Sequence, residues 1–521
     1  MATERQSTWL GAVRNAAIIL VVWEIAGRLQ LVASGALPPP SAILLRLWVD
    51  RGDYPPHVLA TLQGAFGGFV IGNVIAIAAG IVFALYPLVA RIARGTNVAI
   101  FALPAIAISP ILVLTLSGMA PRYALAAIGC YFTTMTATVI GLTEVDARSV
   151  DVIRAYGGSR WTVLRLVQFR SALPVILSGL RIAAPNAVLG SILAEFGGGG
   201  RYGLGAYLLG SLGRGEPDRL WGIGLIATLI AGLAYGLFAL VARTVTRGSL
   251  AVTIPTAPPR GSDGRGQPLV QRIALTLASL ALPFAIWWAL LLLLRVPNLI
   301  AKTPADLVTY LFLSPQAAVA QGRLLDALAQ TIPYTFAGMA AGLAFAFLLA
   351  LGTQLYPALV RAFMPVALVT QTMPLVALTP LLVLILGRGP GVIIWITISV
   401  TFFPAFVTIA QGLLLVPPAA LEVPRAYGAS VWKQLRLVSI PASLPYLLAA
   451  TRLTVPRALL GVMIAEWLAT GTGLGNLLNQ SRGYMDYGMI WTVAVVSVIV
   501  SVILYQLVGL IERLALPGMG R

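Results

Sequence analysis

Apolar runs of about 20 residues recur along almost the whole chain, and a run of that length crosses a bilayer as one α-helix. In the first half they lie near 11–32, 58–86, 98–118, 121–143, 182–196 and 219–243, and in the second half near 272–295, 328–356, 361–386, 390–416, 451–469 and 488–514. The fifth run of each half is short. Only 10% of the 521 residues are charged, against roughly 25% in soluble domains. The sequence therefore predicts an all-α polytopic membrane protein with about 12 transmembrane helices.

The second half of the chain repeats the first at an almost constant offset of 270 residues (355 − 85). Leu85-Tyr86-Pro87 returns as Leu355-Tyr356-Pro357, and Gly203-Leu-Gly205 returns as Gly473-Leu-Gly475. Self-similarity at a fixed offset is typical of a duplicated unit. We therefore expect two homologous six-helix halves, 1–243 and 272–521, joined by a cytoplasmic linker over 244–271 that is rich in proline and glycine.

The distribution of positive charge predicts the topology. The formal net charge is +18, but the basic residues are spread over loops between spans, so a nucleic-acid partner is not expected. Cytoplasmic loops of membrane proteins are rich in Lys and Arg. The linker and the loops between spans four and five, 144–181 and 417–452, are basic and lie on one side of a six-plus-six arrangement. That side is predicted to be cytoplasmic, and both termini then lie there too.

Composition excludes several classes of active site. Cys130 is the only cysteine and His57 the only histidine, which argues against disulfides, metal clusters and histidine-based catalysis. A phosphate-binding P-loop needs Gly-Lys-Ser/Thr, and neither Lys302 nor Lys433 lies in that context. We therefore expect no catalytic residues, no metal and no cofactor bound by this chain. A membrane enzyme has little support.

One polar, basic stretch occurs twice, as Asp151-Val-Ile-Arg-Ala-Tyr-Gly157 and as Glu422-Val-Pro-Arg-Ala-Tyr-Gly428. Each copy predicts a short cytoplasmic helix with its acidic residue in the first turn, where the helix dipole favours it. The glycine permits close approach by another backbone, and Pro174 and Pro445 are expected to end the segment before span five. Such a helix either docks in a partner's groove or only redirects the chain. Two matched copies favour docking.

The spacing of this segment resembles the EAA loop of ABC importer permeases of the binding-protein-dependent type. That pattern is Glu-Ala-Ala, three residues, Gly, nine residues, then an aliphatic residue, any residue, Leu and Pro. Half two follows its spacing from Glu422 through Gly428 to Pro441. Half one departs from it, because Asp151 replaces the glutamate and Arg170 replaces the proline. The resemblance therefore implies that the two halves grip a partner differently.

Further residues resemble the nitrate, sulfonate and taurine subgroup of these permeases: the pattern from Pro174 to Arg181, Ala194-Glu195, and Trp23-Glu24. The resemblance implies the fold of a type I ABC importer permease in a bacterial inner membrane. It implies two separate ATPase subunits, expected to be a homodimer, which hold ATP and Mg and bind the repeated loops. It also implies an extracytoplasmic solute-binding protein and contact with membrane lipid. The implied cargo is a sulfonate-, nitrate- or taurine-like anion or a small organic compound.

Two groups of candidate site residues follow. The resemblance places ATPase coupling at Asp151, Ala155, Gly157, Pro174, Glu422, Ala426, Gly428, Pro441 and Pro445. Ionisable or polar side chains within spans are candidates for the substrate path. The predicted substrate path consists of these residues and the neighbouring Phe402: Thr133, Thr134, Glu195, Gln371, Arg457 and Glu466. For the threonines a structural role is favoured, because membrane threonines often bond within or between helices.

Arg457 has no counterpart in half one, where Asn186 occupies the equivalent position. It either attracts an anionic substrate or pairs with Glu466, nine residues on, or with another carboxylate, and pairing is favoured. Span three carries two prolines in each half, which are expected to kink it. These are Pro104, Pro110, Pro374 and Pro380.

The runner-up function is a secondary transporter of twelve spans built from two six-span repeats. Span count and a central linker fit both functions. The extended loop between spans four and five favours the permease, because a secondary carrier does not need it.

Overall fold

The computed structural model describes residues 17–32, 35–198, 200–245, 268–356 and 374–515, and the single positions 14, 358 and 363. Every regular element within these residues is helical, which confirms the all-α fold class. Among them, nine helices are long and apolar enough to cross a membrane, and one bent pair forms a tenth span. The predicted spans 11–32 and 361–386 and the linker 244–271 lie partly outside the described residues.

The spans keep the order predicted for each half. In half one, span two is Tyr54–Leu85, span four is Ala120–Thr143, span five is Arg160–Phe196 and span six is Pro217–Val245. In half two, span one is Leu269–Leu293, span two is Ala317–Leu355, span four is Pro390–Leu414, span five is Val431–Thr470 and span six is Tyr487–Ala515. Residues 17–28 are the described helical part of the first span.

Span five is much longer in both halves than its short apolar run predicted. Arg160–Phe196 has 37 residues and Val431–Thr470 has 40, so the preceding loops end near 159 and 430 rather than at 181 and 452. Pro174 and Pro445 lie inside these helices and do not end the loops. The first part of each helix precedes the apolar run and carries charged side chains, such as Arg160, Arg165 and Arg170 in half one. Hydropathy alone therefore places the start of span five too late.

Span three of half one is broken at its first proline. The helices Arg94–Ala102 and Ala105–Thr115 meet at an angle of 98°, with Leu103 extended at φ −72° and ψ 116°. Pro104 disfavours helical backbone at the residue before it, which confirms the predicted kink in this half. Pro110 lies inside the second helix. In half two, Pro374 directly precedes Leu375–Leu386, which contains Pro380, and the residues before it lie outside the described part.

The second part of each span three lies between the two halves. Ala105–Thr115 packs on span five of its own half and on spans five and six of half two. Leu375–Leu386 packs on spans four and five of half two and on spans five and six of half one. The two fifth spans therefore border the central interface together with Ala105–Thr115 and Leu375–Leu386.

Paired tryptophans repeat at the same place in both halves. Trp23 packs on Trp221 with ring centroids 5.3 Å apart, and Trp287 stacks on Trp491 at 5.3 Å. Trp221 Nε1 donates to a backbone carbonyl at 3.1 Å and Trp491 Nε1 does the same at 2.8 Å. Each pair joins span one to span six, so the duplication extends to side-chain packing.

Candidate functional site

Two short surface helices form the predicted coupling loops, Ala147–Ala155 and Pro418–Ala426. Their last residues, Ala155 and Ala426, are exposed. Asp151 and Glu422 are exposed in the middle of the helices, and neither first turn holds an acidic residue. The predicted position of these carboxylates at the helix dipole is therefore wrong, because that effect is confined to the first turn. Both carboxylates instead face solvent.

Both helices end in the same glycine cap. Gly157 has φ +78° and Gly428 has φ +69°, a left-handed conformation that costs a residue with a Cβ about 1–2 kcal/mol. The N–H of Gly158 donates to the Ile153 carbonyl and that of Gly157 to the Arg154 carbonyl, both at 2.9 Å. This pair of bonds is a Schellman motif, and half two repeats it. A Cβ at either capping glycine would meet no atom within 4 Å, so backbone conformation, not crowding within the chain, requires glycine.

Large aromatic side chains stand in solvent beside both caps. Tyr156 is 90% exposed and Tyr427 is 88% exposed. Trp161 and Trp432, five residues further along the chain, are exposed as well. Exposed aromatic clusters mark interaction surfaces, and Tyr and Trp are enriched among residues that dominate binding energy at interfaces. The same pair therefore projects from each half.

Each short helix leads directly into span five. A serine begins span five in both halves: Ser159 Oγ accepts from Thr162 N–H at 3.3 Å, and Ser430 Oγ accepts from Lys433 N–H at 3.4 Å. A π-helical turn follows at equivalent positions, Leu164–Gln168 and Leu435–Ser439. Half two has the exposed Pro441 two residues after this turn and half one has Arg170. The turn forms in both halves, so this departure from the EAA pattern does not change the local backbone.

One tether distinguishes the two short helices. In half two, Arg425 Nε donates to Gln434 Oε1 at 3.1 Å, and Gln434 Nε2 donates to the Ala429 carbonyl at 2.9 Å. The glutamine thus ties the short helix to the base of span five. The equivalent residue in half one is Val163, which is buried and has no polar side chain to make this bond.

A buried carboxylate near the far end of span five clamps the next helix. In half two Glu466 is fully buried. Its Oε1 accepts from Thr331 Oγ1 at 2.7 Å and its Oε2 from Gly475 N–H at 2.9 Å. The Thr331 hydroxyl in turn accepts from Leu474 N–H at 2.9 Å. Two N–H groups at the start of Gly473–Gly483, which lack helical partners, are thereby satisfied.

Half one builds the same clamp around Glu195, with additional partners. Thr61 Oγ1 donates to Glu195 Oε1 at 2.8 Å, and Gly205 N–H donates to Oε2 at 2.7 Å. Arg122 Nε lies 3.9 Å from Oε1, and Ser191 Oγ lies at 3.5 Å. The two threonines of the clamps were not predicted from the sequence. Their only sequence signal is their separation of 270 residues (331 − 61).

The clamps explain the repeated Gly-Leu-Gly. A Cβ at Gly203 would lie 2.3 Å from the carboxyl carbon of Glu195, and a Cβ at Gly473 would lie 2.0 Å from Glu466 Oε1. Real Cβ atoms essentially never come this close to another heavy atom. Glu195 and Glu466 therefore hold the backbone after span five, and a contact with substrate stays a prediction.

The other predicted substrate-path residues do not form one site. Phe402 is buried in a cluster of phenylalanine rings. Thr134 is buried, and its hydroxyl donates to Asn73 Oδ1, which joins span four to span two. Thr133, one position earlier, is partly exposed. Gln371 lies outside the described residues.

Arg457 does not pair with Glu466 as predicted. Nine residues of α-helix separate them by about 13 Å, and Thr331 and Gly475 engage both oxygens of the Glu466 carboxylate. Within the described part of the chain, the Arg457 guanidinium makes no hydrogen bond or ion pair. Arg457 is nevertheless partly exposed, and so is Asn186 at the equivalent position.

Two further short helices, Pro40–Val49 and Pro304–Leu313, lie at the opposite end of the spans. Asp50 ends the first of them and accepts from Arg46 Nε at 2.8 Å and from Arg219 Nε, on span six, at 2.7 Å. The hydrogen bonds from Arg219 hold the pKa of Asp50 below its usual value. This pairing fixes the first helix to span six.

Comparison with known proteins identifies the family. The model described as "Binding-protein-dependent transport system inner membrane component" matches residues 72–248 and again 338–517. The two matches together cover more than half of the chain. They lie one in each half, which supports the duplication.

Individual relatives are permeases for different small solutes. The riboflavin transport system permease protein of Chloroflexus aurantiacus is 32% identical over 154 residues, which are 30% of this chain and 58% of that protein. A probable ABC transporter permease protein of Haemophilus influenzae is 29% identical over 201 residues, 38% of this chain and 82% of its own. The formylaminopyrimidine transport permease protein of Halalkalibacterium halodurans is 27% identical over 190 residues, 36% of this chain and 76% of its own. Taken together, these names do not point to a single class of solute.

These relatives and the family match support an ABC-type permease in general terms rather than a secondary transporter. The chain belongs to the family of binding-protein-dependent transport system inner membrane components, and it carries the permease unit twice.

Proposed function

We propose that the chain is the translocation subunit of an ATP-driven importer for a small solute, with two ATPase subunits docked on the short helices Ala147–Ala155 and Pro418–Ala426. One observation carries the proposal. Each half presents the same exposed helix with the same glycine cap and the same pair of solvent-exposed aromatic residues. A short helix that only redirects the chain into span five would not need such an exposed aromatic surface in each half.

The connection between each short helix and span five supports coupling. Only four residues separate Ala155 from Arg160, and the helix that begins there continues without a break to Phe196. Span five borders the central interface of the two halves. Closure of two ATPase subunits around ATP and Mg would displace the short helices and rock the fifth spans against each other, a rigid-body switch between two states. The nucleotide and the metal belong to those subunits.

The proposal includes the orientation and the other partners. The short helices face the cytoplasm of a bacterial cell, and both termini lie on that side, because the loops that carry these helices are the most basic. An extracytoplasmic solute-binding protein delivers the solute to the opposite end, near Pro40–Val49 and Pro304–Leu313. The solute is a sulfonate-, nitrate- or taurine-like anion or a small organic compound. A putative aliphatic sulfonates transport permease protein of Bacillus subtilis, 27% identical over 143 residues, is consistent with the first alternative.

Removal of the exposed tyrosines tests the docking surface. Tyr156→Ala and Tyr427→Ala together should sharply reduce co-purification of the ATPase subunits encoded beside this chain, with the thermal unfolding midpoint unchanged, because neither ring packs within the chain. Tyr484→Ala is the matched control, since that ring is also exposed but lies after Gly473–Gly483 at the opposite end. Full retention of the ATPase by the double variant, or an equal loss with the control, would refute this docking surface.

A further inference from the structure

Arg457 is a cation inside span five of half two. It lies 13 residues before the end of span five of half two (470 − 457), about 20 Å along the helix, and its guanidinium makes no hydrogen bond or ion pair within the described part of the chain. The two other arginines at matched positions of the fifth spans are engaged. Arg181 stacks over Tyr235 at 4.1 Å, and Arg452 stacks over Tyr505 at 4.3 Å.

The side of span five that carries Arg457 is only partly buried. In half one the incompletely buried positions Ser178, Ile182, Asn186 and Leu189 follow helical spacing. The same positions of half two are Ala449, Leu453, Arg457 and Leu460; Leu453 is buried and the other three are partly exposed. We call these two sets the span-five stripes. Buried residues such as Ala183, Ala187, Ala458 and Leu459 lie beside the stripes, whereas Arg181, Pro185 and Arg452 are partly exposed as well.

The stripe of half two lacks the highly exposed apolar side chains of a lipid-facing surface, whereas Ile182 on the half-one stripe is 41% exposed. Lipid-facing helices here show large apolar side chains at high exposure, as on span six of half one at Leu229, Leu233 and Leu237. From Pro445 to the end of span five in half two, no large apolar side chain is exposed in this way. Spans two, four and six of each half pack around its span five, and both third spans also contact it. Among the described residues, these contacts leave the side toward the central interface for the half-two stripe.

We propose that Arg457 recognises a single oxyanion group, a carboxylate or a sulfonate, on the solute that this chain transports. The inference rests on the proposed function and specifies its substrate class. A guanidinium presents a planar set of donors that matches two oxygens of such a group at once. The partly exposed Leu460 flanks it on the stripe, so the rest of a small organic anion meets apolar surface there, while Asn186 supplies one neutral polar group at the symmetric position.

Cysteine labelling beside Arg457 tests the local charge and the access of water. Cys130, the only cysteine, is replaced by alanine, and Leu460→Cys is introduced one turn from Arg457; Leu189→Cys is the matched control beside the neutral Asn186. The complex with its ATPase subunits, in lipid nanodiscs open to both faces, is reacted with anionic sulfonatoethyl methanethiosulfonate or with its cationic trimethylammonioethyl analogue. We expect an anion-over-cation rate preference on the order of tenfold at position 460 relative to position 189.

Charge variants and competing solutes then separate the anion site from an open cavity. Arg457→Gln should abolish the rate preference, whereas Arg457→Lys, which keeps the charge, should retain it. Millimolar methanesulfonate or acetate should slow labelling at position 460, and the neutral methanesulfonamide and acetamide should not. This protection should disappear in Arg457→Gln.

Three results would overturn the anion site. The first is that neither reagent labels position 460. The second is that the rate preference survives in Arg457→Gln. The third is that the neutral solutes protect position 460 as well as the anions do. The same preparations report on the proposed function independently. ATPase subunits that remain bound while anions have no effect would refute only the substrate class, whereas failure of the unsubstituted chain to hold any ATPase would refute the permease function itself.

Discussion

Replacement of Thr331 by valine should strongly destabilise half two. Valine has nearly the shape of threonine, so the change removes a hydroxyl without opening a large cavity. That hydroxyl donates to Glu466 Oε1 at 2.7 Å and accepts from Leu474 N–H at 2.9 Å. Its loss leaves two buried polar groups without this partner, each at a cost of about 1–3 kcal/mol. The expected destabilisation is therefore about 2–6 kcal/mol.

The duplication supplies an internal comparison at Thr61. Thr61→Val removes the equivalent hydroxyl, but Glu195 keeps Ser191 Oγ at 3.5 Å and Arg122 Nε at 3.9 Å. Only the Leu204 N–H loses its partner outright. The destabilisation should therefore be smaller, about 1–3 kcal/mol, although the substitution is chemically identical.

A third valine substitution controls for the loss of a buried hydroxyl as such. Thr335 lies one turn from Thr331 on the same span, is equally buried, and donates only to the Thr331 carbonyl at 2.8 Å. Thr335→Val should cost less than about 1 kcal/mol, because that carbonyl already accepts within the helix. Thermal and denaturant unfolding of the three variants in detergent measures the order. Equal losses, or a larger loss for Thr335→Val than for Thr331→Val, would refute the role assigned to the clamp.

Three further outcomes are expected. Gly428→Ala should strain the end of its helix and weaken ATPase-coupled transport with little change in the unfolding midpoint, whereas Gly322→Ala, at an uncrowded glycine inside a helix, should not; intact substrate-stimulated ATPase activity in Gly428→Ala would contradict this. Gln434→Val, which copies Val163 of half one, should speed amide hydrogen exchange over 418–429 and leave 147–158 unchanged, and equal exchange before and after would show that the tether has no effect. Asp50→Asn should lower the unfolding midpoint at pH 7. Because folding lowers the pKa of Asp50, the difference should persist down to about pH 4, the usual pKa of aspartate, and shrink below it as the folded carboxylate is protonated; a difference independent of pH would argue against this ion pair.

Features that depend on local composition could be predicted from the sequence. Length and hydropathy place most spans, since the bilayer demands a fixed length of apolar helix. The kink of span three follows from Pro104, because a proline restricts the residue before it whatever surrounds it. The surface helices follow from a polar repeat that no membrane interior accommodates.

Features that depend on partners in space could not be predicted in the same way. Glu466 and Arg457 are nine residues apart and of opposite charge, so pairing looked favourable in one dimension. In three dimensions the carboxylate is held by Thr331, from another span, and by a backbone N–H that follows span five. Phe402 likewise faces a ring cluster rather than a path. Periodicity shows that a helix has faces, but it does not show which neighbour covers each face.

The sequence by itself determined that this chain is a duplicated bundle of membrane helices with two matched polar helices outside the bilayer. Water and lipid select for these properties residue by residue, and the selection is therefore visible along the chain. Only the tertiary structure decided that span five joins each surface helix to the central interface and that two buried glutamates serve the backbone. It also decided that Arg457 has no hydrogen-bond or ion-pair partner among the residues the structure describes. Those outcomes depend on which atoms of distant spans meet, and a buried charge is satisfied or unsatisfied only by such contacts.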